Sequence, residues 1–267
     1  MKHCVFLDID GTLIAFGQED MSEATKNDLL SAQAKGVKCL INTGRPRASL
    51  PKAVTNFPFD GYCCACGGYI SVDGNVIVNE PLGIDNVRYL ERIALTYNAH
   101  IIFEGIETNY CYDGDLKLHE HHAKVSQAFR DCTTFGPLPM DESIAKQILK
   151  VTVIDFDHSQ LWVKEAQQRF NFMMHLSYSG DHFSGEIVPK MSSKAKAMDK
   201  VKAYYQEDVQ SIAIGDGIND IEMLQEADVS FWMANGDPSV QQYATHTTDT
   251  VLDNGVGNAL RKLNLID

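Results

Sequence analysis

The stretch VFLDIDGTL at residues 5–13 most constrains what this chain can fold into. An apolar run, the pattern of a buried strand, ends on two carboxylates, Asp8 and Asp10, followed at once by Gly11 and Thr12. Like charges held this close repel, and partial burial strips their hydration. Something must compensate, and a cation is the obvious candidate.

Strand and helix signals alternate on either side of this stretch. Val5–Leu7 reads as a short strand, and residues 22–35 read as a helix with Ser22 as N-cap and Gly36 just past its end. Val37–Ile41 is apolar again and runs into NTGR, and Gly61–Ala65 precedes two strand runs flanking Asp73-Gly74, a hairpin signal. Late in the chain, Ser192–Tyr205 reads as a helix, SIAIGDGIND as a strand entering a glycine-rich turn, Ile221–Glu226 as a helix and Val229–Met233 as a strand. Such alternation predicts βαβ units and a parallel sheet covered on both faces.

The middle differs. Asn86–Tyr97 and Gln160–Phe170 read as helices, and Ala99–Phe103, Thr108–Tyr112, Ile148–Phe156 and Phe172–Tyr178 as strands, with a His-rich helix or loop between. The expectation is an α/β protein: a core at 1–83 and 185–267, with an α+β domain inserted at 84–184.

Four polar stretches fall just after strands or at helix starts: Asp8–Thr12, Thr43-Gly44-Arg45, Ser193-Lys194, and Gly215–Asp220. In a parallel sheet, strand ends converge on one edge, where ligands bind. Carboxylates, a hydroxyl, a lysine and glycine-freed N–H groups gathered there suit phosphoryl transfer. Asp8 can act as nucleophile and Asp10 as acid and then base. Asp8 and Asp216 suit Mg²⁺, which needs few carboxylates and keeps waters. Thr43 and Lys194 would hold the phosphate, and Gly44 leaves room for a close N–H. Lys190 and Lys196 rival Lys194, and Arg45 is either a site residue or a plain surface charge.

The motifs DIDGT, NTGR, Lys194 and GDGIND resemble, in order, the four motifs of the haloacid dehalogenase (HAD) superfamily, in particular its Cof-type phosphatases. MANGDPSV (233–240), ATHTTDT (244–250) and NGVGNAL (254–260) also look like that family's C-terminal stretch. The resemblance implies a Rossmann-like three-layer core with a large α/β cap of type IIB inserted between the second and third motifs. It implies Mg²⁺-dependent hydrolysis of small phosphorylated metabolites, often sugar phosphates, through an aspartyl-phosphate. Asp8 matches the nucleophile. Asp10 matches the acid/base and also the residue lending a backbone carbonyl to the metal. Asp216 matches a metal carboxylate, and Asp220 one near the metal, direct or through water. Thr43, Gly44, Lys194 and Asn219 match phosphate contacts. The chain departs from the family at Cys66, where Asn is frequent, and at Met191 and Ala195, where glycines are usual.

A phosphomutase using the same aspartate and a non-catalytic phosphometabolite sensor are the alternative readings. An intact set of Asp8, Asp10, Lys194 and Asp216 speaks against the sensor. The net charge of −13 argues against nucleic-acid and anionic-membrane partners. No apolar stretch approaches the roughly 20 residues of a membrane span. Without a signal-peptide pattern, the seven cysteines read as reduced thiols and the compartment as cytoplasmic. The expected oligomeric state is a monomer or weak homodimer. The C-x-x-C spacing of Cys63 and Cys66 lacks a matching second pair for zinc and reads as core thiols. HEHH at 119–122 reads as exposed histidines, and Met173 and Met174 as core fillers. Glu104-Gly105, Asp113, Tyr178, His182 and Glu186 mark strand ends or turns of the inserted domain, where specificity is expected, and the sequence does not choose among them.

Overall fold

The computed structural model describes residues 2–125, 127–154, 160–176, 183–206 and 208–267. In chain order, β1 (Lys2–Leu7), α1 (Glu23–Ala34), β2 (Lys38–Asn42), α2 (Lys52–Thr55), β3 (Gly61–Cys64), β4 (Tyr69–Val72) and β5 (Asn75–Asn79) come first. Next are α3 (Ile84–Tyr97), β6 (His100–Gly105), β7 (Asn109–Tyr112), α4 (Leu116–His122), α5 (Gln127–Asp131) and β8 (Thr133–Gly136). Then follow α6 (Glu142–Ala145), β9 (Ile148–Ile154), α7 (Gln160–Ala166), β10 (Phe170–Leu176) and β11 (Phe183–Pro189). The chain closes with α8 (Lys194–Tyr205), β12 (Val209–Gly215), α9 (Ile221–Glu226), β13 (Val229–Met233), β14 (His246–Thr248) and α10 (Gly255–Lys262). It divides into two units, residues 1–44, 51–78 and 193–267, and residues 45–50 and 79–192.

The first unit holds an eight-stranded sheet in the order β14-β13-β12-β1-β2-β3-β4-β5. From β14 to β3 every neighbouring pair is parallel, and β4 turns back antiparallel to β3. Period-two alternation gives β1 two apolar faces. Cys4 and Phe6 pack with Ala197, Met198 and Val201 of α8 and Met223 and Leu224 of α9. Val5 and Leu7, also fully buried, point to the opposite face, and α1 and α10 pack on one another. Ser22 caps α1 by accepting the Thr25 N–H, and Gly36 follows in a left-handed conformation, φ +88°. The hairpin turn has Asp73 and Gly74 at φ +48° and +80°, as a tight right-twisting turn requires. Because β2 lies on one side of β1 and β12 on the other, the chain order reverses at β1, which places a crevice at its carboxyl end.

The second unit holds a six-stranded sheet, β10-β11-β9-β6-β7-β8, antiparallel except for the β7–β8 pair. One face packs Ile101, Phe103, Val151, Val153 and Ile187 against Val87, Leu90 and Ile93 of α3 and Trp162 of α7. The other face carries Ile102, Cys111 and Ile154 against Leu118 of α4. Three strands go beyond the sequence expectations, β8 and β11 in this unit and β14 in the first. β11 carries Gly185 in mid-strand, which weakens its signal. Phe170 opens β10 and does not close the preceding helix, which ends at Ala166. Tyr178 and His182 lie outside the described residues, as do the side chains of Met173 and Met174. Among the described residues, no helix is long and apolar enough to cross a membrane.

Candidate active site

The parallel register brings the motifs to one edge. Leu7 pairs with Ile41 on β2 and with Ile214 on β12, so Asp8, Asn42 and Gly215 come level one residue further on. Asp8 and Asp216 are buried, 5% and 6% exposed, and Asp220 is fully buried. One oxygen from each of these three carboxylates lies within 4.8 Å of the others. Lys194 Nζ donates to Asp8 Oδ1 and to Asp220 Oδ1, both at 2.6 Å.

Each member is held by its local structure. Gly11 turns the chain after β1 at φ +86°, and a Cβ there would sit 2.3 Å from Asp216 Oδ2. Thr12, also buried, donates its hydroxyl to Asp216 Oδ1 at 2.9 Å. Asp220 Oδ2 accepts the N–H groups of Asp216 and Gly217, at 2.9 and 3.0 Å, which fixes the glycine turn after β12. Ser193 caps α8, and Lys194 is its first residue. A cation in a first helical turn opposes the helix dipole. Its place there is explained by the carboxylates it meets.

The electrostatics are those of crowded, dry carboxylates. Burial, then the charges of Asp220, Asp216 and Asp10 against the opposing pull of Lys194, raises Asp8 well above the ordinary carboxylate range. Burial first, then Asp220, pushes Asp216 up to about 7, although the Thr12 hydroxyl pulls the other way. Burial works against the charge of Lys194, but Asp220 and Asp8 outweigh it and hold the ammonium above its usual range. Three carboxylates around one ammonium are short of positive charge, and an oxygen-only set of this kind fits a hard divalent cation.

The chain matches the haloacid dehalogenase-like hydrolase family over residues 5–260. It belongs to that family. It is 26% identical to a 5-amino-6-(5-phospho-D-ribitylamino)uracil phosphatase of Bacillus subtilis, over 97% of each chain. Among solved structures it resembles a protein of Geobacillus kaustophilus, with a TM-score of 0.85, 24% identity and full coverage of both chains. It also resembles the HAD subclass IIB sugar phosphatase BT4131, with a TM-score of 0.81, 21% identity and full coverage of both chains. The enzyme class supported by the family and these relatives is that of the HAD-like phosphatases.

The remaining residues named from the sequence of this HAD-like chain take the following places. Asp10 is half-buried, and its charge is felt at both Asp8 and Asp216. Thr43 is buried past the end of β2, its N–H donating to the Cys63 carbonyl and its own carbonyl accepting from Cys66. Gly44 is buried beside it, and Asn219 is half-buried in a 3-10 turn at Ile218–Asp220. Lys194 is brought to the carboxylates, whereas Lys190 is exposed and donates to the Gln168 carbonyl. Arg45 belongs to the second unit and donates to the Ser49 carbonyl. Cys63 is fully buried, and burial raises its thiol, as for a core residue. Of the histidines expected to be exposed, His119 is, stacking on Phe135 with ring centroids 4.1 Å apart, whereas His121 and His122 are half-buried, His122 meeting Phe135 edge-on.

Two supporting residues escaped the sequence reading. Asn42 Nδ2 donates to the Lys194 carbonyl at 2.9 Å, tying the end of β2 to the start of α8. Asn235, from MANGDPSV, donates to the Gly11 carbonyl at 2.8 Å and accepts the Val251 N–H at 2.7 Å. Asn42 stood inside a quoted motif, so its polar side chain on a strand end was the available signal. Asn235 also stood inside a quoted stretch, but its partners are 224 and 16 residues away, so its bonds had no local signal.

Proposed function

We propose that this protein is a Mg²⁺-dependent phosphatase that hydrolyses monophosphate esters of small metabolites, sugar phosphates in the first place, through a phosphoryl-aspartate at Asp8. The convergence of Asp8, Asp216 and Asp220 around Lys194 carries the reading. Asp8 attacks phosphorus, the bond to the ester oxygen breaks, and Asp10 gives that oxygen its proton. Asp10 then takes a proton from water, whose oxygen attacks phosphorus. The bond to Asp8 breaks, which frees phosphate and restores the carboxylate. Thr43, Gly44, Lys194 and Asn219 hold the phosphate oxygens.

Asp8, Asp216 and the Asp10 carbonyl would hold Mg²⁺. Asp220 already receives two backbone N–H groups and Lys194, which favours a place one water away from the ion. When bound, Mg²⁺ neutralises phosphate charge and returns Asp8 to its ionised form. The second unit serves as the cap that selects the leaving group, with the compartment read as cytoplasmic. The test is phosphate release from a panel of sugar phosphates, nucleotides, FMN and pyridoxal phosphate, with and without Mg²⁺, beside Asp8→Asn. Mg²⁺-dependent release, lost in Asp8→Asn, supports the proposal. An isomerised phosphoester without free phosphate would replace it with a mutase, and no turnover at all would overturn it.

A further inference from the structure

The first sheet ends on β5, and no strand lies beyond it among the described residues. The opposite edge, β14, is three residues long and offers little to pair with, whereas β5 is five. Edge strands of proteins that stay apart are commonly guarded by a charge, a proline or a bulge. β5 reads NVIVN, without a charge or a proline, and its Val76 is 54% exposed.

The turn before β5 fixes which of its backbone groups face outward. Asp73 and Gly74 alone separate β4 from β5, so Val72 and Asn75 oppose one another as the hydrogen-bonded pair that closes the hairpin. Ile77 then opposes Ile70, and both lie with the cluster that includes Val201 of α8. Asn75 shares that face, donating its amide to the Tyr204 hydroxyl at 3.3 Å. The N–H and C=O groups of Asn75 and Ile77 are therefore turned to β4, and those of Val76 and Val78 are turned away from the sheet.

The sequence of β5 is a palindrome centred on Ile77. Two identical antiparallel strands are related by a two-fold axis, so a palindromic edge is complementary to itself. With a second β5 set about that axis, Val76 meets Val78 of the partner subunit, and Val78 meets Val76 of the partner subunit. Each of these pairs exchanges two hydrogen bonds through the outward-turned groups. Ile77 meets its own copy as a non-hydrogen-bonded pair, with Cα atoms about 4.5 Å apart. β-branched side chains opposed across strands add packing. A shift by one residue would set Val76 against Ile77 of the partner subunit, whose backbone groups are already turned to β4.

We propose that two copies of this chain associate through β5, antiparallel about a two-fold axis at Ile77, joining their first sheets into one. A single strand pair buries less than the roughly 1,200 Å² of a standard interface, so the dimer forms and dissociates with protein concentration. The inference does not depend on the phosphatase reading.

The experiment is sedimentation equilibrium of the full chain, from the micromolar range to several hundred micromolar, beside Val76→Lys and Val76→Pro. Neither change removes a bond to β4, because Val76 turns its N–H outward, and a thermal melt checks that each variant is folded. The native protein should move from the monomer mass toward twice that value, and both variants should weaken association about 10-fold or more. Under mild oxidation Ile77→Cys should cross-link beyond the level of the native protein. Val76→Cys, whose copies lie about 7–8 Å apart on the diagonal, should not. A native protein that is monomeric at every concentration would overturn the inference. So would variants that dimerise as well as the native protein, or an Ile77→Cys protein that does not cross-link. If Val76→Lys and Val76→Pro fail to fold, the cross-link decides alone.

Discussion

Each unit buries a lysine between two carboxylates, by different means. Lys194 lies 2.6 Å from both Asp8 and Asp220 at the carboxyl edge of a parallel sheet. Lys150 lies 2.6 Å from Glu186 and 3.5 Å from Glu104 in the middle of an antiparallel sheet face. A third carboxylate, Asp216, joins the first group and leaves it short of positive charge. Among the described residues the second group is one ammonium with two carboxylates, one of which also accepts the Thr152 hydroxyl. The difference teaches what each is suited to. A cluster with surplus negative charge at a strand-end crevice suits a divalent cation and phosphoryl chemistry. A cluster laid across a sheet face instead ties β6, β9 and β11 together through their side chains.

The largest expected effect breaks the first cluster. Lys194→Met leaves Asp8 and Asp220 buried without their cation, which in the absence of metal should cost about 3–5 kcal/mol in chemical denaturation. Activity should fall by at least about 100-fold. A variant as stable and active as the native protein would mean that Lys194 is incidental to the site.

Gly11→Ala should come next. It forces a side chain into φ +86° and against Asp216 Oδ2. The strain alone is of order 1–3 kcal/mol, and the displaced carboxylate should lower kcat by about 100-fold. Near-native kinetics would show that the Gly11–Asp216 approach does not matter.

A third prediction concerns pH. Asp8 and Asp216 are raised in the folded protein, Asp216 to about 7. The metal-free folded state therefore holds protons that the unfolded chain has already released between pH 4 and about 7. These groups make the metal-free protein less stable as pH rises through that window. Mg²⁺ competes with the same protons. The rise in Tm on adding Mg²⁺ should therefore be larger at pH 8 than at pH 5.5. An increment that does not change with pH would remove the carboxylates from the metal site.

The smallest effect concerns Cys66, which sits at φ +53° in the turn whose N–H meets the Thr43 carbonyl. Asn tolerates that conformation better than Cys. Cys66→Asn should raise Tm by about 1–3 °C with activity unchanged, measured by thermal melts. A fall in Tm would show that thiol packing outweighs backbone strain there.

The same contrast explains what the sequence disclosed. Parallel strands run directly into their loops, so Asp8, Asp10, Thr43 and Asp216 each sit beside their own strand in a short, readable motif. Ser22, Gly36 and Asp73-Gly74 were legible for the same reason, since caps and turns are local. The second cluster comes from positions 104, 150 and 186 on three strands and has no local signature. Glu104 and Glu186 stood out only as charges near strand ends. Lys150 was hidden in an apolar run, although the alternation of Lys150 and Thr152 marked a polar face. Cross-strand register, which only the fold supplies, turned these residues into a group.

The most direct test of the central claim is acid quench of the Mg²⁺-loaded protein during turnover of its best ester, followed by peptide mass mapping. The account predicts phosphate on the peptide spanning residues 5–13, located at Asp8 and absent in Asp8→Asn. Turnover with no phosphorylated aspartate, or with phosphate on another residue, would contradict it.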